Sequence, residues 1–365
     1  APSGLFAVYV DGVRYDATNL AFREFTVDAS VAGTEHAVAT FDGEGFTVEQ
    51  HVQTYDDTAL VEQWQVIRAS APIQVTRVDS FVLDIPAGDY ELLHFTSDWG
   101  QEFQPVRAPL QGEVTLETHF GRSSKGMHPW FGLFKQDTVL SASIAWSGNW
   151  VFRFVPTEVG YRVSGGLHDW QFSKTLAAGE AFETPRAVLT LGRDLNDTAQ
   201  QYARIGRRWW YPRNAIANAL PVEWNHWWSY NDLAINEQVF LQNIEIAARL
   251  GVEICTLDAG WFGPTDNAND WYSYRGDWHL LNTDRFPNGV RPLADAAHAA
   301  SMKFGVWCEI EGLGKLAALA DLHPELVALR HEADGTSAPI GYVCMGNPAA
   351  QEWAYNTLTR IIGET

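Results

Sequence analysis

Polar and apolar positions alternate with a period of two along the first half of this chain. Ala7-Val8-Tyr9-Val10 runs into Asp11-Gly12, a hairpin signal. Residues 46–52 alternate, as do 62–67, and 112–120 do so cleanly. Residues 81–85 lead into Pro86-Ala87-Gly88-Asp89, a turn. Many short strands with Gly and Pro between them predict a β-sandwich over residues 1–192.

The pattern changes after Thr190. Asp194-Leu195-Asn196-Asp197-Thr198 offers N-cap residues, residues 199–211 read as a helix with basic residues late, and Pro212 closes it. A helical linker is expected over 193–218. From Leu220 onward strands and helices alternate. Residues 222–228 predict a strand, 236–250 a helix stopped by Gly251, and 252–257 a buried strand ending at Asp258. A helix over 290–300, a strand over 302–307, a helix over 313–320 and strand-like residues 342–345 follow. A helix over 348–362 then carries Pro at its first turn.

Repeating strand–helix units imply a parallel sheet. No glycine-rich phosphate loop follows its first strand, which argues against a nucleotide site. Polar and aromatic residues instead crowd the strand C-termini, the active face of a barrel. The expected fold is multidomain, β followed by α/β. An N-terminal β-sandwich (supersandwich) precedes a (β/α)8 TIM-type barrel over 219–365, of which about three or four strand–helix units are readable. Such an open set exposes strand edges and apolar helix faces, so a homo-oligomer or a further C-terminal half is expected to cover them.

Composition narrows the partners. The net charge is −20, from 45 acidic against 25 basic residues, which argues against nucleic acid and acidic membrane surfaces but leaves neutral substrates open. No stretch approaches the roughly 20 apolar residues of a membrane span. Three cysteines, Cys255, Cys308 and Cys344, form no CxxC pair, and no His cluster has zinc-ligand spacing. No cofactor and no metal are expected. The opening Ala1-Pro2-Ser3-Gly4 has no signal-peptide character, and with the odd cysteine count this leans towards the cytoplasm. Sixteen tryptophans raise the prospect of carbohydrate binding, because sugars present flat C–H faces to aromatic rings.

The chemistry concentrates at three strand ends. In Leu257-Asp258-Ala259-Gly260-Trp261-Phe262, Asp258 can accept sugar hydroxyls and Trp261 can wall a pocket; equally, Asp258 can cap the following turn. Gly276-Asp277-Trp278 either touches sugar or organises its loop. Trp307 follows the third strand, and Glu309 and Glu311 point the same way from it. That pair can serve as acid and base or can hold barrel loops. Cys344 lies near a strand end and is placed to line a cavity. The candidate substrate-binding residues are therefore Asp258, Trp227, Trp261, Trp307, Asp277, Trp278 and Cys344. In the sandwich, 95–102 and 121–131 read as polar, aromatic-rich loops at a domain interface or with a binding role, and His128 is given no catalytic part.

At these residues the chain resembles glycoside hydrolase family 36, the bacterial and plant-type α-galactosidases or melibiases. Asp98-Trp99-Gly100-Gln101-Glu102 is similar to the family's Trp-Ala-Arg-Glu segment. Gly121-Arg122-Ser123-Ser124 with His128-Pro129-Trp130-Phe131 is similar to its Ser-Ser…His-Asn-Pro-Phe run. Trp224-Asn225-His226-Trp227, residues 257–262, Gly276-Asp277-Trp278, Phe286-Pro287-Asn288-Gly289, residues 303–307 and Asn347-Pro348 follow in family order. The likeness runs from about residue 50 to the end.

The resemblance implies retaining hydrolysis of terminal α-D-galactosides by an Asp nucleophile and an Asp acid/base roughly 5 Å apart. A galactose-containing oligosaccharide or glycoside is then the partner, Asp258 binds galactose hydroxyls, and Trp227 and Trp307 shape the pocket. The family's nucleophile lies on the fourth barrel strand in a Lys-x-Asp context and its acid/base lies later. Both are therefore expected after Thr365, and no catalytic residue is assigned within the chain. Two departures bear on the substrate. Ala259 stands where many members carry a second Asp, and Glu309-Ile310-Glu311-Gly312 replaces the usual Glu-Pro-Glu-Met. An α-N-acetylgalactosaminide is the alternative substrate. The alternative functions are a non-catalytic galactose-type binding or subunit protein, and a divergent enzyme using Glu309 and Glu311.

Overall fold

The computed structural model describes residues 5–266, 270–332 and 334–364. The opening Ala1-Pro2-Ser3-Gly4 and Thr365 lie outside them. The chain divides into two compact units, Ala1–Tyr211 and Pro212–Thr365.

The first unit is a supersandwich. A ten-stranded antiparallel sheet is covered by two four-stranded ones. The large sheet runs from the outer strand Gln104–Pro109 through Arg186–Gly192 and Val61–Ala69 to the other outer strand, Ala21–Asp28. The alternation read from the sequence becomes one buried and one open face. In Phe46–Tyr55, Phe46, Val48 and Gln50 point inward. One core packs Phe131, Leu133, Ile144 and Leu189 of the large sheet against Phe81, Trp150, Phe152 and Phe154. A second packs Phe41, Phe46, Val48 and Ile67 against Val8, Val10, Val75 and Val78. The buried polar pair Gln50 and Gln65 is satisfied internally: Gln65 donates to Gln50 Oε1 at 2.7 Å and to the Ser80 carbonyl at 2.9 Å. Ala21–Asp28 is exposed along its length, and a register shift between Phe22 and Glu24 interrupts that edge, as bulges do where pairing with another chain is to be discouraged.

The helix expected inside a linker packs on this sandwich. It runs Leu195–Ile205, capped by Asp194, and buries Thr198, Gln201 and Ile205. Gln201 Oε1 accepts from the Ala59 N–H at 2.9 Å and from Thr190 Oγ1 at 2.7 Å. The helical path continues as a wider π turn over Gly206–Trp210 before Pro212.

In the second unit a short helix, Ala215–Ala219, precedes three parallel strands in sequence order, Glu223–Asn225, Ile254–Leu257 and Lys303–Val306. Helix Glu237–Leu250 links the first two. Asn236 caps its start, and Gly251, at φ 77°, ends it in the left-handed region. Helix Arg291–Ala299 precedes the third strand. Three expectations change here. The apolar run at 222–228 is a strand only to Asn225, because a helix Trp227–Ala234 starts two residues later. Residues 313–320 form turns, with a helix only at Leu319–Leu322. The strand-like residues near 342 belong to an antiparallel hairpin, Val327–His331 with Ser337–Val343, and not to the parallel sheet. Asp334-Gly335 makes the turn, with Asp334 Oδ1 accepting from the Thr336 N–H at 2.9 Å. The final helix runs Pro348–Glu364.

Candidate functional site

The parallel strands end side by side, and their last residues meet. Asn225 closes the first strand, Asp258 follows the second and Trp307 follows the third, with the Trp307 N–H donating to the Leu257 carbonyl at 2.8 Å. Asp258 Oδ2 accepts from Asn225 Nδ2 at 2.7 Å, and Oδ1 accepts from the Ala259 N–H at 2.7 Å. Asn225 Oδ1 accepts from the Trp227 N–H at 2.8 Å. The backbone N–H of Asp258 donates to Nδ1 of His226, which is fully buried, and burial holds the His226 imidazole below the ordinary histidine range.

Around this carboxylate stands an aromatic wall. Trp271 meets Trp227 edge-on at 5.7 Å between ring centroids and Trp307 edge-on at 5.4 Å. Trp227 and Trp307 are half-buried. Trp271, which no motif in the sequence singles out, is therefore the ring that joins them. Trp261 and Trp278 sit behind, at 4% and 1% exposed, with Trp261 Nε1 donating to the Trp307 carbonyl at 3.1 Å. Asp277 is 1% exposed, and both its oxygens accept backbone N–H groups, from Ala318 at 2.9 Å and Leu319 at 3.2 Å. Cys344 follows the hairpin and is half-buried, its N–H donating to the Leu326 carbonyl at 2.7 Å. Of the seven candidates, Asp258, Trp227 and Trp307 are thus brought together with open surface. Trp261, Asp277 and Trp278 support them from the interior, and Cys344 belongs to another element.

The two glutamates differ. Glu309 Oε2 is 2.5 Å from Nη1 of the buried Arg275, whose guanidinium also lies over the Tyr272 ring. Glu311 has no such cation among the described residues. Cys308 beside them has its thiol pushed up to about 12, by burial first and then by the charges of Glu311 and Glu309. It is an inert thiol.

In the first unit, the segments expected as loops are only partly so: Glu91–Ser97 and Gly126–Lys135 are strands, leaving turns over 98–102 and 121–125. The Asp98–Lys125 ion pair joins these turns, and Trp150 Nε1 donates to the Ser123 carbonyl at 2.7 Å. His128 stacks on Phe103 at 3.9 Å, and its Nε2 takes no hydrogen bond among the described residues. A cluster invisible in sequence lies nearby in the fold of this unit: Glu117, His119 and His168 bring their ligand-type atoms within 4.8 Å of one another. The Trp170 N–H donates to His168 Nδ1 at 2.8 Å, which puts the His168 proton on Nε2. That Nε2 lies 2.9 Å from Glu117 Oε2 and 2.7 Å from His119 Nε2. A metal would need the same nitrogen bare, so this is a hydrogen-bonded cluster.

A supersandwich followed by parallel strand–helix units, with a carboxylate and tryptophans at the strand ends, defines a two-unit protein of the β-sandwich plus parallel α/β class. Residues 26–177 match the glycosyl hydrolase family 36 N-terminal domain, and residues 181–365 match the melibiase family. The chain belongs to the melibiase family, glycoside hydrolase family 36.

Among its relatives, the α-galactosidase AgaA of Geobacillus stearothermophilus is 31% identical over 283 residues, which is 72% of this chain and 38% of that protein. An α-galactosidase of Escherichia coli is 30% identical over 309 residues, 79% of this chain and 42% of that protein. The crystal structure of AgaA superposes with a TM-score of 0.87 at 22% identity, covering all of this chain and 54% of that one. The α-galactosidase structure from Lactobacillus brevis gives 0.84 at 23% identity, over 99% of this chain and 52% of that one. The structural likenesses establish the fold. The chain spans about half the length of the solved relatives and less of the curated ones.

Proposed function

We propose that this chain builds the galactose-recognising part of a glycoside hydrolase acting on terminal α-D-galactosides. The observation that carries the reading is the Asp258 carboxylate. It stands at the end of a parallel strand, is held by two neutral donors and claimed by no cation among the described residues, and is flanked by the Trp227–Trp271–Trp307 wall. Two remaining lone-pair positions suit the hydroxyls of a neutral sugar, and half-buried indoles suit its apolar face. In this reading Trp227, Trp307 and Asp258 touch the sugar. Trp261, Asp277 and Trp278 keep the wall and its loop in place. The relatives bear α-galactosidase names, and the retaining mechanism of the family follows as part of the same proposal.

Ala259 supports a second reading of the substrate. A methyl group at a position next to the ligand carboxylate offers no further acceptor to a hydroxyl, which favours a sugar modified there, such as an α-N-acetylgalactosaminide. Turnover by the native protein separates these. Hydrolysis of p-nitrophenyl α-D-galactoside at a higher kcat/KM than both the β-anomer and the α-N-acetylgalactosaminide supports the first. Preference for the α-N-acetylgalactosaminide supports the second, and preference for the β-anomer contradicts both.

A further inference from the structure

Asn225 is tied to two of the sugar-facing residues at once. Its Oδ1 accepts from the Trp227 backbone N–H and its Nδ2 donates to Asp258. A backbone N–H can only donate, so the amide oxygen is committed to Trp227 and the nitrogen must face the carboxylate. Flipping the amide would break both bonds. On the other side, Asp258 Oδ1 is held by the Ala259 N–H. A carboxylate has about four lone-pair sites, and these two bonds use one on each oxygen, which fixes its plane and leaves one on each for a ligand.

We propose that Asn225 is a positioning residue for sugar recognition: its amide locks the Asp258 carboxylate to the start of the Trp227 helix, so that the free lone pairs and the indole face are presented together. This rests on the reading of Asp258 as a galactose ligand. The choice of Asn has a chemical reason. Aspartate at 225 would keep the acceptor for Trp227 but set a second carboxylate against Asp258. Two carboxylates at hydrogen-bond distance cannot both ionise, so the pair would be restored only after sharing a proton.

The test is calorimetric titration of D-galactose into the full chain, Asn225→Asp and Asn225→Ala, from pH 8 to pH 5, with a thermal melt of each. Among the described residues, the titratable groups bonded beside this pair are Glu223, one pleat back on the first strand and bonded to Thr256, and His226. All three proteins share them, so the differences report position 225. The expected result is galactose binding by the parent chain, weakened about tenfold or more in Asn225→Asp at pH 8 and recovered as the pH falls, a size typical of a like-charge pair. Asn225→Ala is expected to be weakened at every pH without recovery. If the parent binds galactose and Asn225→Asp matches it at pH 8, or if both variants lose affinity in parallel at all pH values, the positioning role is overturned while the galactose reading stands. If the parent chain does not bind galactose, the underlying reading itself falls.

Discussion

A carboxylate keeps its lone pairs for neutral hydroxyls only when no cation claims them, and Asp258 and Glu309 sit on opposite sides of that line. Among the described residues Asp258 is held by amide groups alone, whereas Glu309 is bound to the buried Arg275. Asp258→Ala should therefore weaken galactose binding on the order of 100-fold, since two hydrogen bonds to a charged acceptor are lost, while the melting temperature stays close to that of the parent. Calorimetry beside a melt reads both. Arg275→Met should do the reverse, costing on the order of 3 kcal/mol in chemical denaturation by stranding the Glu309 charge. His226 sets a pH dependence. Burial lowers its pKa from the ordinary histidine value of 6.5, so the folded chain disfavours the charged imidazole. Its contribution is full above pH 6.5 and is lost as the pH falls through the lowered folded value. A melt series from pH 7.5 to 5 should fall less steeply in His226→Asn, whose side chain does not titrate.

At the scale of elements, periodicity carried most of the information and local exceptions carried the rest. The period-two runs became sandwich strands because one face of each is buried, and the helix over 236–250 appeared between its Asn236 cap and Gly251 as read. Replacing Gly251 by Ala should cost about 1 kcal/mol, because φ is 77° and the space around it is open, so only the backbone conformation is penalised. Urea denaturation of the variant measures that. The misread segments were short apolar runs, where a strand and a buried helix look alike. Trp227-Trp228 was counted into a strand but starts a helix, and 342–345 was counted into the parallel sheet although Asp334-Gly335 marks a hairpin turn. In the candidate site, Asp258, Trp227 and Trp307 were legible as residue types at or just after strand ends. The parts played by Asn225 and Trp271 were not, because each depends on a contact between separate strands or loops that no local pattern encodes. The same holds for His119 and His168, which meet across 49 positions.

For the whole molecule, the net charge of −20 and the neutral character of the proposed ligand lead to a joint expectation. Galactose affinity should hold nearly constant between low and high salt, since no ligand charge is there to be screened; a steep salt dependence in the same calorimetric titration would point to an anionic ligand instead. In the proposed reading, recognition lies at the strand ends of the second unit. The central claim is that those ends select galactose. Its most direct measurement is a parallel titration of D-galactose and its C4 epimer D-glucose into the 365-residue chain. Saturable binding of galactose, about tenfold or more tighter than glucose, is the result this account predicts for a site that hydrogen-bonds a particular hydroxyl. Equal affinity for the two sugars, or binding of neither, would contradict it.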